Sequence, residues 1–207
     1  MRKKQFVEES EGEEYLHKET WRVVKRQFER PEDSRKGAMY DDLVAMVFAS
    51  HTLEGYLNFI GDKILPKLWE NEKTEFRETG IEGKITAISQ ECGLPKFEKG
   101  RRPYSTVVAL KELRDSIGHP KTRKPKSRKV YTEGKEPPLF PKTYLQTLVS
   151  HEKARRAKED VKSIVDRIHA AAVAKFPRLN LGDDGLEGIL SMHSHSAQLA
   201  PDSAADT

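Results

Sequence analysis

The chain has 207 residues, of which 36% are hydrophobic and 34% are charged, and its formal net charge is +4. Its single cysteine, Cys92, excludes an internal disulfide. Because we find no signal peptide and no apolar run near the about 18 residues that a membrane-spanning helix needs, we expect a cytoplasmic, one-domain protein without membrane association.

The basic residues of the chain are concentrated in one window. Between Pro95 and Tyr131 there are 12 lysines and arginines but only 3 acidic residues, so the window carries +9 and the rest of the chain −5. A basic block in an otherwise acidic chain favours a surface that binds a polyanion such as RNA. A solvated loop without a ligand is the alternative for the same composition. The residues that we assign to RNA binding are Arg101, Arg102, Lys121, Arg123, Lys124, Lys126, Arg128 and Lys129.

The first half of the chain shows helical periodicity. Residues 1–12 are charged and are expected to be flexible, and a first helix is predicted from Glu13 to Glu29. A long second helix is predicted from Tyr40 to Leu65, where Pro66 ends or bends it. The stretch "TGIE", Thr79 to Glu82, has the pattern of a capping box and predicts the start of a third helix.

The second half continues in the same way. A fourth helix is predicted from Ser105 to Ile117, followed by a basic, proline-rich loop over residues 120–141. A last long helix is predicted from Thr143 to Phe176, with a bend or an exposed midsection at the charged run "HEKARRAKED". The glycine- and serine-rich residues 178–207 are expected to be disordered. We find no convincing strand pattern, so the prediction for residues 13–177 is an all-α bundle of four to five helices.

Two opposite charges fall on the predicted inward faces of two helices. On the fourth helix, Arg114 lies on the stripe formed by Val107 and Leu110. On the second helix, Glu54 lies seven residues after Val47 and three before Leu57, within that apolar stripe. An arginine on an inward face keeps its charge and needs an anionic partner, so these two residues are predicted to pair. A salt bridge that only fixes the register of the helices is one reading of the pair.

A histidine at the end of the fourth helix suggests chemistry. His119 lies five residues after Arg114, and Gly118 and Pro120 predict that the helix stops between them, so that the two side chains could share a groove. A histidine can exchange a proton with the 2′-hydroxyl or the leaving oxygen of RNA. An arginine can stabilise the charge of the phosphorane-like transition state. A helix end with an incidental histidine is the simpler alternative.

The run from Arg114 to His119, "RDSIGH", resembles the R-φ-x-x-x-H motif of the HEPN superfamily, in which φ is a polar residue. The order of elements over residues 38–175 is also similar: a long helix with an inward acid in "HTLEGYLNFIGDKIL", a helix that ends in the motif, and a closing helix. Many HEPN domains are all-α, metal-independent endoribonucleases of toxin–antitoxin or phage-defence systems, and they typically dimerise to form one cleft from two motifs. The resemblance therefore implies that Arg114 and His119 are catalytic, that Asp115 supports their geometry and that Glu54 is a structural or catalytic acid.

The same resemblance implies RNA as a ligand, a homodimer, and an antitoxin protein as a possible partner. The alternative within the family is a non-catalytic HEPN-like dimer that binds RNA or protein, because Pro120 and Lys121 follow the histidine where many active members have a tyrosine. We assign no cofactor and no metal. His193 and His195, with Asp183 or Asp184, form a weaker alternative that would bind a metal ion.

Overall fold

A computed structural model of the chain describes residues 6–29, 38–98, 100–122, 142–188 and 190–199. Its elements in chain order are strand β1 (Phe6–Glu14), helices α1 (Leu16–Phe28), α2 (Ala38–Ile64), α3 (Pro66–Trp69), α4 (Glu72–Glu75), α5 (Gly80–Glu91), α6 (Tyr104–Gly118), α7 (Tyr144–Leu148) and α8 (His151–Lys175), and strand β2 (Leu190–Leu199). Five of these helices have 12 or more residues. The all-α prediction is confirmed, and the five longer helices form the bundle.

The central helix is α2, which packs against α1, α5, α6 and α8. Its apolar residues recur every three or four positions, and Leu53, Leu57 and Ile60 are fully buried. They meet Ile85 and Ile88 of α5 and Ile164 and Ile168 of α8 in one continuous hydrophobic core. By length and composition α2 could also cross a membrane, but half of its most apolar window is buried inside the bundle.

The last predicted helix is divided into α7 and α8. The break lies at Val149 and Ser150, where both residues are extended and Ser150 Oγ accepts a hydrogen bond from the Lys153 amide. Thr143 and Gln146 form a complete capping box at the start of α7. A bend within "HEKARRAKED" is therefore wrong, because a serine cap starts a new helix just before that run. The alternative, an exposed midsection, is confirmed, since six of the ten residues of the run are exposed.

The capping box predicted at Thr79 is also wrong. Thr79 has helical backbone angles and its side chain makes no capping hydrogen bond, although α5 does start at Gly80. Glu82 accepts a hydrogen bond from the Tyr104 hydroxyl at 2.7 Å instead of reaching back to the start of its own helix.

Both ends of the chain differ from the prediction of flexible or disordered segments. β1 and β2 pair antiparallel from Phe6–Leu199 to Glu14–Leu190, with a register shift between Glu11 and Gly12. As a result α1 starts at Leu16 instead of Glu13. Between α8 and β2 the chain returns to the core, where Leu181 and Leu186 are buried. Two leucines in a segment of glycines and aspartates are enough to anchor it, although its average composition is that of a tail.

Candidate functional site

The two charges predicted to pair do so across α2 and α6. Arg114 Nη1 donates to Glu54 Oε2 at 2.5 Å. The pair is half-buried, because about a third of each side chain is exposed, 34% for Arg114 and 33% for Glu54. The arginine therefore has a protein-facing side, fixed by the carboxylate, and a side open to solvent.

The buried side of this pair is closed. The crevice beside Arg114, between Ser50 of α2 and Leu110 of α6, has no room for a molecule of the size of water. A phosphate could approach the guanidinium only from the solvent side. Within the described part of the chain, the hydrogen bond to Glu54 comes from Nη1 and none is formed by Nη2, so this nitrogen is left to donate to such a ligand.

A buried lysine supports Glu54 from α5. Lys84 is 3% exposed, donates to Asn58 Oδ1 at 2.7 Å, forms an ion pair with Glu72, and lies 3.9 Å from Glu54 Oε1. Glu54 is thus placed between two cations, which keeps its carboxylate in position. Sequence reasoning missed Lys84, although it shares the inward face of α5 with Ile81, Ile85 and Ile88, and a lysine on such a face signals a buried partner.

Asp115 lies on the outer side of α6. Its Oδ1 is 3.5 Å from Arg114 Nε, and its side chain is 52% exposed. Its backbone carbonyl accepts the amide of His119 at 3.0 Å, which ties the end of the helix to the residue beyond it. The carboxylate is thus close to one edge of the guanidinium, at its Nε, while remaining half-exposed.

His119 is the first residue after α6, which ends at Gly118 close to the predicted position. It is exposed, with φ −125° and ψ 66°, and its imidazole makes no hydrogen bond or ion pair with any residue that the structure describes. Within one copy of the chain, no hydrogen bond joins His119 to Arg114, so the predicted shared groove is not formed by a direct bond between them. The imidazole is therefore open to a ligand or to a second copy of the chain.

Next to this histidine the inward face of α6 is uncovered. Leu110 and Leu113 are 2% and 1% exposed, but Ile117, which continues the same face, is 41% exposed. We refer to the segment Arg114–His119 as the open end of α6. It presents an arginine, an apolar side chain and a histidine together.

The two neighbouring arginines assigned to RNA have different surroundings. Arg102 donates from Nε and Nη2 to the Asp160 carboxylate at 2.8–3.1 Å and from Nη2 to Glu159 at 3.0 Å. These hydrogen bonds, that to Asp160 first, raise the pKa of Arg102. Arg101 has a side chain that is 78% exposed, and its one ion pair among the described residues is with Glu98. We therefore leave Arg102 out of the proposed RNA surface and keep Arg101.

The rest of that surface is only partly described. Lys121 is exposed. The remaining residues assigned to RNA lie outside the described residues: Arg123, Lys124, Lys126, Arg128 and Lys129. In the alternative metal site, Asp184 Oδ1 accepts the amides of Leu186 and Glu187, and the side chains of His193 and His195 are also outside the description. Among the residues described, no group of three or more metal-ligating side chains converges.

Comparison of the chain with protein-family models, with curated proteins and with solved structures finds no significant match in any of the three.

Proposed function

We propose that this protein is a HEPN-like, metal-independent endoribonuclease that acts through Arg114 and His119 at a cleft between two copies of the chain. The observation that carries the proposal is the open end of α6. There a guanidinium is held from one side by Glu54 and left open on the other, five residues before an exposed histidine at a helix end.

The chemistry assigned to these groups is transfer to the neighbouring 2′-oxygen. The imidazole of His119 takes the proton of a 2′-hydroxyl, the 2′-oxygen attacks the adjacent phosphorus, and the bond from phosphorus to the 5′-oxygen breaks. A second protonated imidazole gives its proton to that 5′-oxygen. The products are a 2′,3′-cyclic phosphate and a 5′-hydroxyl. Arg114 stabilises the charge that grows on the phosphoryl oxygens.

Two copies supply what one copy lacks. The mechanism needs two imidazoles in different protonation states, and each chain presents one at the open end of α6. Ile117 supports the same arrangement, because an apolar side chain that is 41% exposed beside the reactive groups loses water when a second copy covers it. In this proposal the basic residues that follow α6 bind the RNA backbone, and an antitoxin protein would act by covering the cleft.

The experiment that tests the proposal is cleavage of single-stranded RNA by the purified protein in the presence of a chelator. We expect cleavage that leaves 2′,3′-cyclic phosphate ends, no cleavage where the 2′-hydroxyl is replaced by hydrogen, and a rate about 100- to 10,000-fold lower for His119→Ala. Sedimentation of the same sample should give the mass of a dimer.

The matched control is His151→Ala. His151 is also an exposed histidine, but it bonds to Asp42, which lies twelve residues, or about 18 Å of helix, before Glu54 on α2. This variant should cleave at the wild-type rate. Salt-sensitive RNA binding without cleavage, unchanged by His119→Ala, would instead support the non-catalytic alternative.

A further inference from the structure

A small chamber lies where the chain reverses after α5. Gly93 adopts φ 70°, and the Leu94 amide donates to the Ser89 carbonyl at 2.8 Å, which completes a Schellman turn. Residues 94–98 then fold back beside the last turns of α5. They enclose a cavity of about 200 Å³ whose walls include Ile85, Leu94, Phe97 and Tyr104. The volume suits one aromatic heterocycle.

Two aromatic rings of this chamber are close to parallel. The centroids of Phe97 and Tyr104 are 6.5 Å apart, and their planes differ by 26°. A flat ring sandwiched between two others needs about 7 Å, which is two van der Waals contacts of about 3.5 Å. The two rings are closer than this, so a ligand would stack on the face of one ring and would not be sandwiched between both.

Both rings are held in place by polar contacts outside the chamber. The Tyr104 hydroxyl donates to Glu82 at 2.7 Å, and the guanidinium of Arg167 lies 5.0 Å from the centroid of the Phe97 ring. Side chains fixed in this way lose little freedom when a ligand binds, so the chamber is pre-organised.

A polar group inside the chamber lacks a partner. Ser89 is 2% exposed, and its Oγ makes no hydrogen bond with any residue that the structure describes. A buried hydroxyl without a hydrogen bond costs free energy, which a ligand with both donors and acceptors would recover. Thr86 and Gln90 add further polar atoms to the same wall. An aromatic slot with an unsatisfied hydroxyl matches the flat face and polar edge of a nucleobase.

The chamber adjoins a cleft that reaches the helix of the proposed site. A wider cleft of about 520 Å³ shares Thr86, Gln90 and Tyr104 with it and extends to Lys111 on α6. Lys111 also borders the crevice beside Arg114. The ten residues from Tyr104 to Arg114 span about 15 Å of helix, a distance that a few nucleotides of a single strand can bridge.

The charges at the mouth of the cleft nearly balance, because Glu78 and Glu82 line it together with Lys111. They do not form an anion site. The recognised group is therefore the base and not a phosphate.

The geometry points to a binding site for one unpaired nucleobase stacked on Phe97 or Tyr104, at whose edge the buried Ser89 hydroxyl gains a hydrogen-bond partner. In an RNA strand this base would lie a few nucleotides from the phosphate at Arg114 and would give the cleavage a sequence preference. That second statement rests on the proposed function, whereas binding of a base does not.

The test is titration of the isotope-labelled full chain, followed by protein NMR, with the four ribonucleosides and with four 2′-O-methyl tetranucleotides of single base composition. We expect at least one base type to shift signals of the chamber residues. Phe97→Leu should weaken that binding about 10-fold, and Ser89→Ala about 3- to 10-fold. Ser163→Ala, an exposed serine on α8, is the matched control and should bind as the wild type does.

The two sources of a base give different results. A nucleoside that binds as tightly as its tetranucleotide identifies a site for a free ligand, and a tetranucleotide that binds at least 10-fold more tightly identifies a base within a strand. Both support the inference. It is overturned if no base-containing probe shifts the chamber signals, or if binding is unchanged in Phe97→Leu and Ser89→Ala variants that melt as the wild type does.

The outcomes also separate this inference from the proposed function. Binding that the chamber variants weaken, in a protein that does not cleave RNA, supports the chamber and removes the nuclease. Cleavage without any base binding at the chamber removes only the chamber.

Discussion

The two ends of α6 are held in opposite ways. At its start, the segment Arg102–Thr106 is bound to the body of the protein: Thr106 Oγ1 donates to Asp160 Oδ2 at 2.5 Å, and Arg102 binds the same carboxylate. At its other end, Arg114 is held by Glu54 alone among the longer-range partners that the structure describes, and Ile117 and His119 face solvent. We refer to the first segment as the anchored end.

This difference separates stability from reactivity within one helix. Polar groups of the anchored end are satisfied by the protein, so replacing them should change the free energy of unfolding and leave cleavage intact. Polar groups of the open end are only partly satisfied, so replacing them should change cleavage and leave stability nearly intact.

Replacing Arg114 by alanine removes the cation of the open end. We expect the rate of RNA cleavage to fall about 100- to 1,000-fold, because the charge that stabilises the transition state is lost. The melting temperature should change little, since Glu54 remains near Lys84 and a half-exposed ion pair contributes about 1 kcal/mol or less. Arg114→Lys keeps the charge but not the forked geometry of the guanidinium, so its cleavage rate should lie between those of the wild type and of Arg114→Ala. A wild-type rate for Arg114→Ala would contradict the role of the open end.

Replacing Asp160 by alanine breaks the anchored end. Asp160 is 5% exposed and accepts hydrogen bonds from Arg102 and Thr106, so its loss leaves both without their partner. We expect the free energy of unfolding to fall by about 3 kcal/mol, measured by chemical denaturation. Glu159→Ala, the matched control, removes an exposed acid and should cost less than about 1 kcal/mol. Loss of cleavage in folded Asp160→Ala protein would contradict the expectation that the anchored end affects stability and not cleavage.

A buried histidine in α1 provides a contrast to His119. His17 is 4% exposed, and burial, followed by the positive charge of Lys18, lowers its pKa from 6.5 to about 4. Between these values the unfolded chain binds more protons than the folded one, so stability is complete above about pH 6.5 and falls as the pH drops toward 4. The full loss from this group is about 3 kcal/mol, of which about 2 kcal/mol is lost by pH 5.

The measurement is the free energy of unfolding against pH for the wild type and for His17→Phe, in which an aromatic ring still faces Phe59. The gap between the two curves should change by about 2 kcal/mol between pH 7 and pH 5. Curves that stay parallel would show that His17 does not set this dependence.

Replacing Arg101 by alanine should have the smallest effect. Its ion pair with Glu98 is exposed, so the free energy of unfolding should change by less than about 0.5 kcal/mol. If Arg101 contacts a phosphate, the slope of log affinity for RNA against log salt should decrease by about 1. Arg102→Ala should have the opposite effects: a lower free energy of unfolding and an unchanged slope of log affinity against log salt. Equal salt slopes for both variants would contradict the assignment of the two arginines.

Local spacing was enough to predict one part of the site. The positions of Glu54 and Arg114 on the apolar stripes of two helices predicted their pairing, because the helical period fixes which residues face inward. Gly118 and Pro120 predicted the end of α6 for a similarly local reason. The apolar stripe of each helix and the end of α6 are both set by residues within two turns of one another.

The parts that sequence reasoning did not find depend on distant residues. Arg101 and Arg102 are neighbours of the same type, and only the position of Asp160, 58 residues after Arg102, distinguishes them. No residue near Glu82 in the sequence indicates that its carboxylate binds the Tyr104 hydroxyl and does not belong to a capping box. The pairing of β1 with β2 joins two polar segments from opposite ends of the chain, and neither has the alternation that predicts a strand.

The most direct test of the central claim is a double-mutant cycle on the rate of RNA cleavage, with Arg114→Ala, His119→Ala and the double variant, each checked by thermal melting. If the two residues act together in one transition state, each single variant loses nearly all of the rate enhancement and the double variant is no slower than the slower single variant. All three should melt close to the wild type. Losses in rate that multiply in the double variant, or cleavage at the wild-type rate by His119→Ala, would contradict a shared active site at the open end of α6.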